Sequence, residues 1–500
     1  VGGLATVALT LVVTRTFSQA AAGAFFTAMS LFLIVEAVAS LGSATGTTYF
    51  IARLRALDQP RRIPEVLRAA VRPVAAVSVV AGVALVLLAS PAAGFLTDSL
   101  GHPGARPAEV AAGLRALAVA LPFAALLDTL LGATRGYRAM GPTNVVDRIG
   151  RPLLQLAGVA AAAAAGSAAL LAPLWALAYL PAVVVVWFWL RRIRCRLILD
   201  IPAPPEPLRF WRFTGPRGLA ALAQITIQRI DIVLVAVMRG PAQAAVYTAA
   251  TRFLVAGQFG NQAISMAAQP RFTEMFTRGD HQAANRVYQA TTAWLVVLTW
   301  PLYLLAVAFG PQVIAVFGRS YSAGAAVMVI LGLTMLLATA CGQVDMVLVT
   351  TGRSSWSLLN GLLAVGVNVG LDLILIPRYG IVGAAAGWSA AIVLTNLLPL
   401  AQIAVVEGLH PFGRGTAIAV VLSACSFGLL PLGARALAGH ATGHATVASL
   451  AAIACGGVVM AAGLWRFRAE LNLSAMPGAA RLAALRRHRR TQPYPVEPTV

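Results

Sequence analysis

The sequence predicts an all-α membrane protein with about fourteen transmembrane helices. Its 500 residues are 59% hydrophobic and only 11% charged, where a soluble domain carries roughly 25% charged residues. Long apolar runs recur along the chain, each near the ~20 residues a helix needs to cross a bilayer. The arginines gather between those runs, where a membrane protein keeps its topogenic charge. Water-soluble packing could not hide so much apolar surface.

In chain order the expected spans are 1–14, 23–51, 73–96, 111–133, 144–165, 168–190, 217–238, 243–268, 287–309, 323–349, 356–376, 380–406, 414–434 and 446–465. The chain begins at Val1, and only fourteen residues precede Arg15, roughly 21 Å of helix. That length is short for a full span and suggests that helix one starts further upstream. With the N-terminus cytoplasmic, the inner loops and tail hold 29 Arg and the outer loops six, Arg15, Arg106, Arg239, Arg319, Arg378 and Arg435. This positive-inside bias places both termini in the cytoplasm and the protein in the cell membrane.

The stretch 191–216 reads as a cytoplasmic amphipathic linker. It is rich in Arg, contains Ile201-Pro202-Ala203-Pro204-Pro205, and then runs Leu208-Arg209-Phe210-Trp211-Arg212-Phe213, a pattern suited to lying along the inner membrane surface. On either side the chain repeats weakly. Phe26-Thr27-Ala28 and Tyr247-Thr248-Ala249 open corresponding helices; Leu131-Gly132-Ala133-Thr134 and Leu348-Val349-Thr350-Thr351 close corresponding ones. The expected organisation is a six-helix bundle at 1–190, the linker, a second pseudo-symmetric six-helix bundle at 217–406, two further transmembrane helices at 407–467 and a basic tail at 468–500, a common transporter plan.

The net charge of +21 invites a nucleic-acid reading, but the arginines form no single face and no aromatic-interleaved patch. The four cysteines, Cys195, Cys341, Cys425 and Cys455, lack metal or redox spacing. His440 and His444 share a spacing of four but form no HExxH motif. No cofactor or metal motif is present. The basic run Arg481 to Arg490 suits anionic headgroups at the membrane surface.

Several motifs carry a resemblance. Arg15 is followed by Gly23-Ala24-Phe25-Phe26, then by Leu41-Gly42-Ser43 and Tyr49-Phe50-Ile51-Ala52-Arg53. The second half shows Arg229-Ile230-Asp231, Gln269-Pro270-Arg271-Phe272, Arg278-Gly279-Asp280 and Tyr379-Gly380-Ile381-Val382-Gly383. This series resembles the bacterial polysaccharide and lipid-linked oligosaccharide flippases of the MOP superfamily. The resemblance implies two bundles around a central cavity. It also implies alternating-access movement of a polyprenyl-pyrophosphate-linked saccharide from inner to outer leaflet, for cell-surface polysaccharide synthesis. Envelope-biosynthesis glycosyltransferases or polymerases are implied partners.

Charges inside spans are functional candidates in their own right, because hydrocarbon disfavours them. Arg115, Asp128, Asp345 and Asp372 fall near span ends, where solvation or local pairing accounts for them. Glu36, Arg229, Asp231 and Arg252 lie deeper. Similar depth on adjacent helices suggests an Asp231–Arg252 pair or a shared wet cavity, with a purely structural ion pair as the alternative. A substrate phosphate needs a cation, and guanidinium offers forked donors that stay protonated. Arg229 and Arg252 are therefore the candidate substrate-binding residues. Glu36 and Asp231 are the candidate carboxylates for a coupling proton or sodium ion.

Three other readings compete. A cation-coupled multidrug or small-molecule exporter of the same fold would also use buried carboxylates. A membrane glycosyltransferase would need outer-loop catalytic groups, and the longest outer loop, 97–110, offers only Asp98 and Glu109. A scaffold for an envelope-synthesis complex would not need the buried charges.

Overall fold

The computed structural model describes residues 2–98, 107–195, 207–438 and 442–472, and among them every regular element is a helix. Hydrocarbon leaves the backbone no external hydrogen-bond partner, so a spanning chain closes its bonds within helices. The first half runs α1 (Gly2–Thr16), α2 (Gln19–Ser40), α3 (Ser43–Ala56), α4 (Ile63–Asp98), α5 (Pro107–Gly136), α6 (Arg151–Ala164), α7 (Leu171–Leu177) and α8 (Tyr179–Cys195). Then follow α9 (Pro207–Arg239), α10 (Pro241–Ala250), α11 (Arg252–Thr277), α12 (His281–Ala308), α13 (Gly310–Ala315) and α14 (Gly324–Ala340). The chain continues through α15 (Val344–Thr350), α16 (Ser354–Tyr379), α17 (Ile381–Glu407), α18 (Arg414–Ser423), α19 (Leu430–Ala438) and α20 (Thr442–Arg466).

Among the described residues, eleven helical segments are long and apolar enough to cross a membrane. The other three expected spans are also helical. α1 is short, with 15 residues. The segment before and through α6 begins with a π-helical turn, Thr143–Gly150, and carries Asp147, Arg148 and Arg151. The segment 241–277 is divided at Thr251 between α10 and α11. Many hydroxyl side chains inside spans turn back onto the preceding carbonyls: Thr10 donates to Thr6 O at 3.0 Å, Ser30 to Phe26 O at 2.8 Å and Thr299 to Leu295 O at 2.8 Å, so these three add no unmet polar group.

The described chain forms two compact units: Val1–Arg252 with Pro311–Ile330 and Ser355–Ile392, and Phe253–Gly310 with Leu331–Ser354 and Val393–Val500. In the first unit, small residues let backbones approach. Leu41 and Gly42 adopt left-handed φ values of 52° and 68°, breaking α2 from α3. A Cβ on Gly42 would strike Gly218 of α9, and one on Gly46 would strike Thr214 and Phe210. Across α3's other contact, Gly132 and Gly136 of α5 meet Ala44, Thr47 and Ile51. These four glycines make two small-xxx-small pairs, the spacing that brings membrane helices together. Hydroxyl contacts reinforce the seam: Ser43 Oγ lies 2.6 Å from Thr129 Oγ1, and Thr48 Oγ1 donates to Gly132 O at 2.8 Å.

The stretch expected to lie along the membrane surface does something else. Residues 207–216 are the opening turns of the continuous α9. Phe210 is buried against α3, and Phe213 stacks on Tyr49 with ring centres 4.1 Å apart. An amphipathic face suits a neighbouring helix as well as a lipid surface, and here α3 covers it. The Pro-rich part at 201–205 and the Arg481–Arg490 run lie outside the described residues.

The second unit packs around α12. Tyr288 Oη donates to Cys341 O at 2.6 Å, Trp300 Nε1 to Thr339 Oγ1 at 3.1 Å and Trp294 Nε1 to Leu471 O at 2.8 Å. Phe272, Val347 and Ile403 share a buried apolar cluster with Tyr288. Glu407, at the end of α17, is held by Arg353 and lies 3.5 Å from His281.

Gly132→Val should destabilise the protein by about 1–3 kcal/mol, because overpacking must open the α3–α5 seam. Thermal unfolding in detergent checks this; an unchanged midpoint would contradict the packing described.

Candidate functional site

A buried polar cluster lies wholly within the first unit, on α9, α10, α16 and α17. Gly240 has φ 86° and Pro241 follows at the first turn of α10, so the chain reverses tightly between α9 and α10. This turn sets Tyr247 opposite Asp231. Tyr247 Oη donates to Asp231 Oδ2 at 2.6 Å, with both residues 2% exposed. At the far end of α9, Arg239 Nε donates to Ile376 O at 3.0 Å and its Nη2 to Pro377 O at 2.5 Å. A cation on the last carbonyls of a helix is favourable, and here it ties the end of α9 to the end of α16. Asp231 and Asp372 are thereby held together, their carboxyls within hydrogen-bonding reach.

Asn368 lies one turn before Asp372 on the same face of α16. Its Nδ2 donates to Asp372 Oδ2 at 3.2 Å, and its side chain also reaches Asp231. Asn368 and Asp372 are 0% exposed. Gly387 of α17 sits so close to Asp372 Oδ1 that any Cβ would collide with it. Three oxygens in this cluster, Asp231 Oδ1, Asn368 Oδ1 and Asp372 Oδ1, are buried without a hydrogen-bond partner. Two carboxyls with unpaired acceptors in a buried site call for positive charge. Oxygen donors of this kind suit a proton shared between the acids or a small hard cation.

The arginines occupy a different arrangement. Arg252 is 6% exposed and opens α11. Its Nε donates to Thr248 O at 3.0 Å and its Nη2 to Thr251 Oγ1 at 3.4 Å. The expected Asp231–Arg252 pair does not form. α10 ends at Ala250, the helix breaks at Thr251, and Arg252 folds back onto the carbonyl one turn earlier while Asp231 takes Tyr247. Among the described residues, the charged side chain that acts on Arg252 is Arg229, of the same sign. Arg229 is half-buried, its Nε is enclosed without a partner, and it lies near Tyr179. As the two-residue spacing requires, Arg229 and Asp231 serve different surroundings. The two guanidiniums thus lie within Coulombic range of each other, and neither pairs with a carboxylate among the described residues.

Glu36 belongs to a third group. It is half-buried on α2 and lies in Coulombic range of Asp128, Asp147 and Arg151. Arg151 is engaged by Asp147 at 2.7 Å, by Tyr179 Oη at 3.3 Å and by the Tyr179 ring, 5.2 Å from its centre. Trp175 sets Tyr179 in place, edge-on at 5.6 Å, and itself packs on Phe32 of α2 at 5.7 Å.

The structure therefore places the candidates in three surroundings: an acid cluster with Asp231, Arg229 and Arg252 within Coulombic range of each other, and a mixed group around Glu36. Asp372, expected to be a solvated or locally paired end residue, is fully buried, paired with Asn368 one turn away, and central to the first. Asn368, Tyr247, Asp147 and Arg151 were not singled out from the sequence. The four-residue spacings Asn368–Asp372 and Asp147–Arg151 were the available signals. Arg115 follows expectation: it is exposed and donates to Ser90 Oγ at 2.6 Å.

Residues 216–374 match the MatE family model. The fold is shared with three solved membrane proteins. An inward-facing multidrug resistance MATE family transporter of the MOP superfamily is 17% identical over 82% of this chain and 96% of its own, with a TM-score of 0.65. The lipid II flippase MurJ, in an inward closed conformation, is 12% identical over 93% of this chain and 97% of its own, with a TM-score of 0.73. A MOP superfamily transporter from Pyrococcus furiosus is 18% identical over 80% of this chain and 92% of its own, with a TM-score of 0.54. No curated protein matches the sequence. Residues 216–374 are thus similar to the MatE family, and the chain shares its fold with these solved proteins, in keeping with the resemblance seen in its motifs.

Asp372→Asn supplies a donor where two acids now meet. In sodium-free detergent it should stabilise the protein, on the order of 1–3 kcal/mol, by satisfying a buried acceptor. It should also flatten any rise in melting temperature as Na⁺ is added. A fall in sodium-free stability would contradict the unpaired acid cluster.

Proposed function

We propose that this multi-pass membrane protein translocates a lipid-linked saccharide precursor from the inner to the outer leaflet, by alternating access, for cell-surface polysaccharide synthesis. The observation that carries this reading is the pair of uncompensated arginines, Arg229 and Arg252. A cation inside a span is normally balanced by a carboxylate; two within Coulombic range of each other and without one offer a receptor for an external anion. A polyprenyl pyrophosphate brings that anion, and guanidinium binds phosphate oxygens through forked, charge-assisted hydrogen bonds. The saccharide headgroup crosses in a wet, protein-lined path while the polyprenyl tail stays in lipid.

The cluster of Asp231, Asn368 and Asp372 supports cation coupling. A proton or Na⁺ satisfies its three unpaired oxygens, and a cation that binds one conformation better shifts the population toward it. Glu36 supports the same role more weakly, because Arg151 already supplies positive charge beside it. The two-bundle plan at 1–190 and 217–406 is the framework on which the proposal places this exchange. Its setting is the cell membrane with both termini cytoplasmic, and its partners are the glycosyltransferases or polymerases that make and consume the lipid-linked saccharide.

A second reading, cation-coupled export of multidrug type, is favoured by the likeness to the MATE family transporter and by the same acid cluster. The two readings differ in substrate charge. The Arg229–Arg252 pair repels a cationic drug and attracts a phosphate.

Depletion of the protein should accumulate lipid-linked saccharide in the inner leaflet with loss of the surface polymer. The wild-type gene should reverse both effects, and the Arg229→Gln/Arg252→Gln variant at matched expression should not. Heightened sensitivity to cationic compounds without lipid accumulation would overturn the flippase reading in favour of drug export.

A further inference from the structure

A separate cavity of about 230 Å³ opens where α3 ends and α4 begins. Both helices belong to segments that are long and apolar enough to span the membrane, so the short turn between them lies at the membrane surface. The arginine bias places that turn on the cytoplasmic side. Phe50 and Phe210 line one wall, and Arg53, Gln59, Arg62 and Glu65 supply polar atoms. Leu57, also in the lining, is 55% exposed. Apolar residues therefore meet charged ones at the boundary between headgroups and acyl chains.

The charge in this cavity is unbalanced. Glu65 is buried and lies 3.7 Å from Arg62 Nε, a long contact that orients Arg62 without saturating its guanidinium. Arg53 is exposed and makes no side-chain hydrogen bond or ion pair among the described residues. Arg61, outside the lining, is exposed, and Arg55 lies 5.7 Å from the centre of the Tyr137 ring. Asp58 in the turn is the other nearby carboxylate, and it is exposed. The volume, the excess cation and the apolar wall fit one ligand class. We propose that this cavity binds the phosphate headgroup of an anionic inner-leaflet phospholipid, with Arg53 and Arg62 on the phosphate and the acyl chains leaving past Leu57. Such a lipid would brace the α3–α4 turn, and through Phe50 and Phe210 the opening of α9. The site is distinct from Arg229, Arg252 and the acid cluster, and it does not depend on the substrate.

Native mass spectrometry of the full chain, titrated with phosphatidylglycerol and with phosphatidylcholine, tests the proposal. Phosphatidylglycerol should be retained in preference to phosphatidylcholine. Arg53→Gln/Arg62→Gln should weaken its retention roughly tenfold or more, as loss of charge-assisted bonds does, while Arg61→Gln, outside the lining, should change it little. Ala69→Phe, which fills the cavity and leaves every charge in place, should also displace the lipid. This second variant keeps the test decisive if the double variant folds poorly. Equal retention of the two lipids, undiminished retention in both the double and the cavity-filling variant, or displacement of the lipid by millimolar inorganic phosphate alone would overturn the proposal.

Discussion

Hydrocarbon offers no hydrogen bonds, and that single constraint orders the structure. It requires helices throughout the spans, because only a helix closes its own backbone bonds. It makes Thr6, Thr10 and Ser30 turn back onto carbonyls of their own helices. It also removes the hydrophobic drive between helices, leaving close packing to do the joining. Hence the paired glycines of α3 and α5, and the dense seam they make with α9.

Against that background, unmet polar atoms carry information. A membrane protein tolerates few of them; among the described residues they include several Ser, Thr and Tyr hydroxyls and a Gln amide as well as ionisable groups of the candidate site. The oxygens of Asp231, Asn368 and Asp372 lack donors, and the Nε of Arg229 lacks an acceptor. Acid and base stand within one unit, yet they do not neutralise each other. Asp231 takes the Tyr247 hydroxyl, and Arg252 takes a backbone carbonyl. In the function proposed above, the acid cluster takes a coupling cation and the arginines take the substrate anion. A structural ion pair would have closed on itself.

Much of this was legible in the sequence because hydropathy is local. Each apolar run between arginines became a helix; of the four charges expected deep in the spans, Asp231 and Arg252 are buried, and Glu36 and Arg229 are half-buried. What was not legible depends on neighbours. Asp372 lay four residues from the expected end of its span and read as solvated or locally paired. Its burial comes from Gly387 on α17 and from α9, which no local pattern reveals. Tyr247 could not be chosen over Arg252 as the partner of Asp231 without knowing that α10 breaks at Thr251. The Phe210–Phe213 face looked ready for lipid, but α3 occupies it. A hydrophobic face states that something must cover it, not what.

The central claim is that the arginine pair receives an anionic lipid. The most direct measurement is binding of a polyprenyl pyrophosphate to the purified protein in nanodiscs, for the wild type and for Arg229→Gln/Arg252→Gln. The account predicts saturable binding that inorganic pyrophosphate competes away and that weakens roughly tenfold or more in the variant, as loss of charged hydrogen bonds requires. Binding that is unchanged in the variant, or preferred binding of a cationic compound by the wild type, would contradict it.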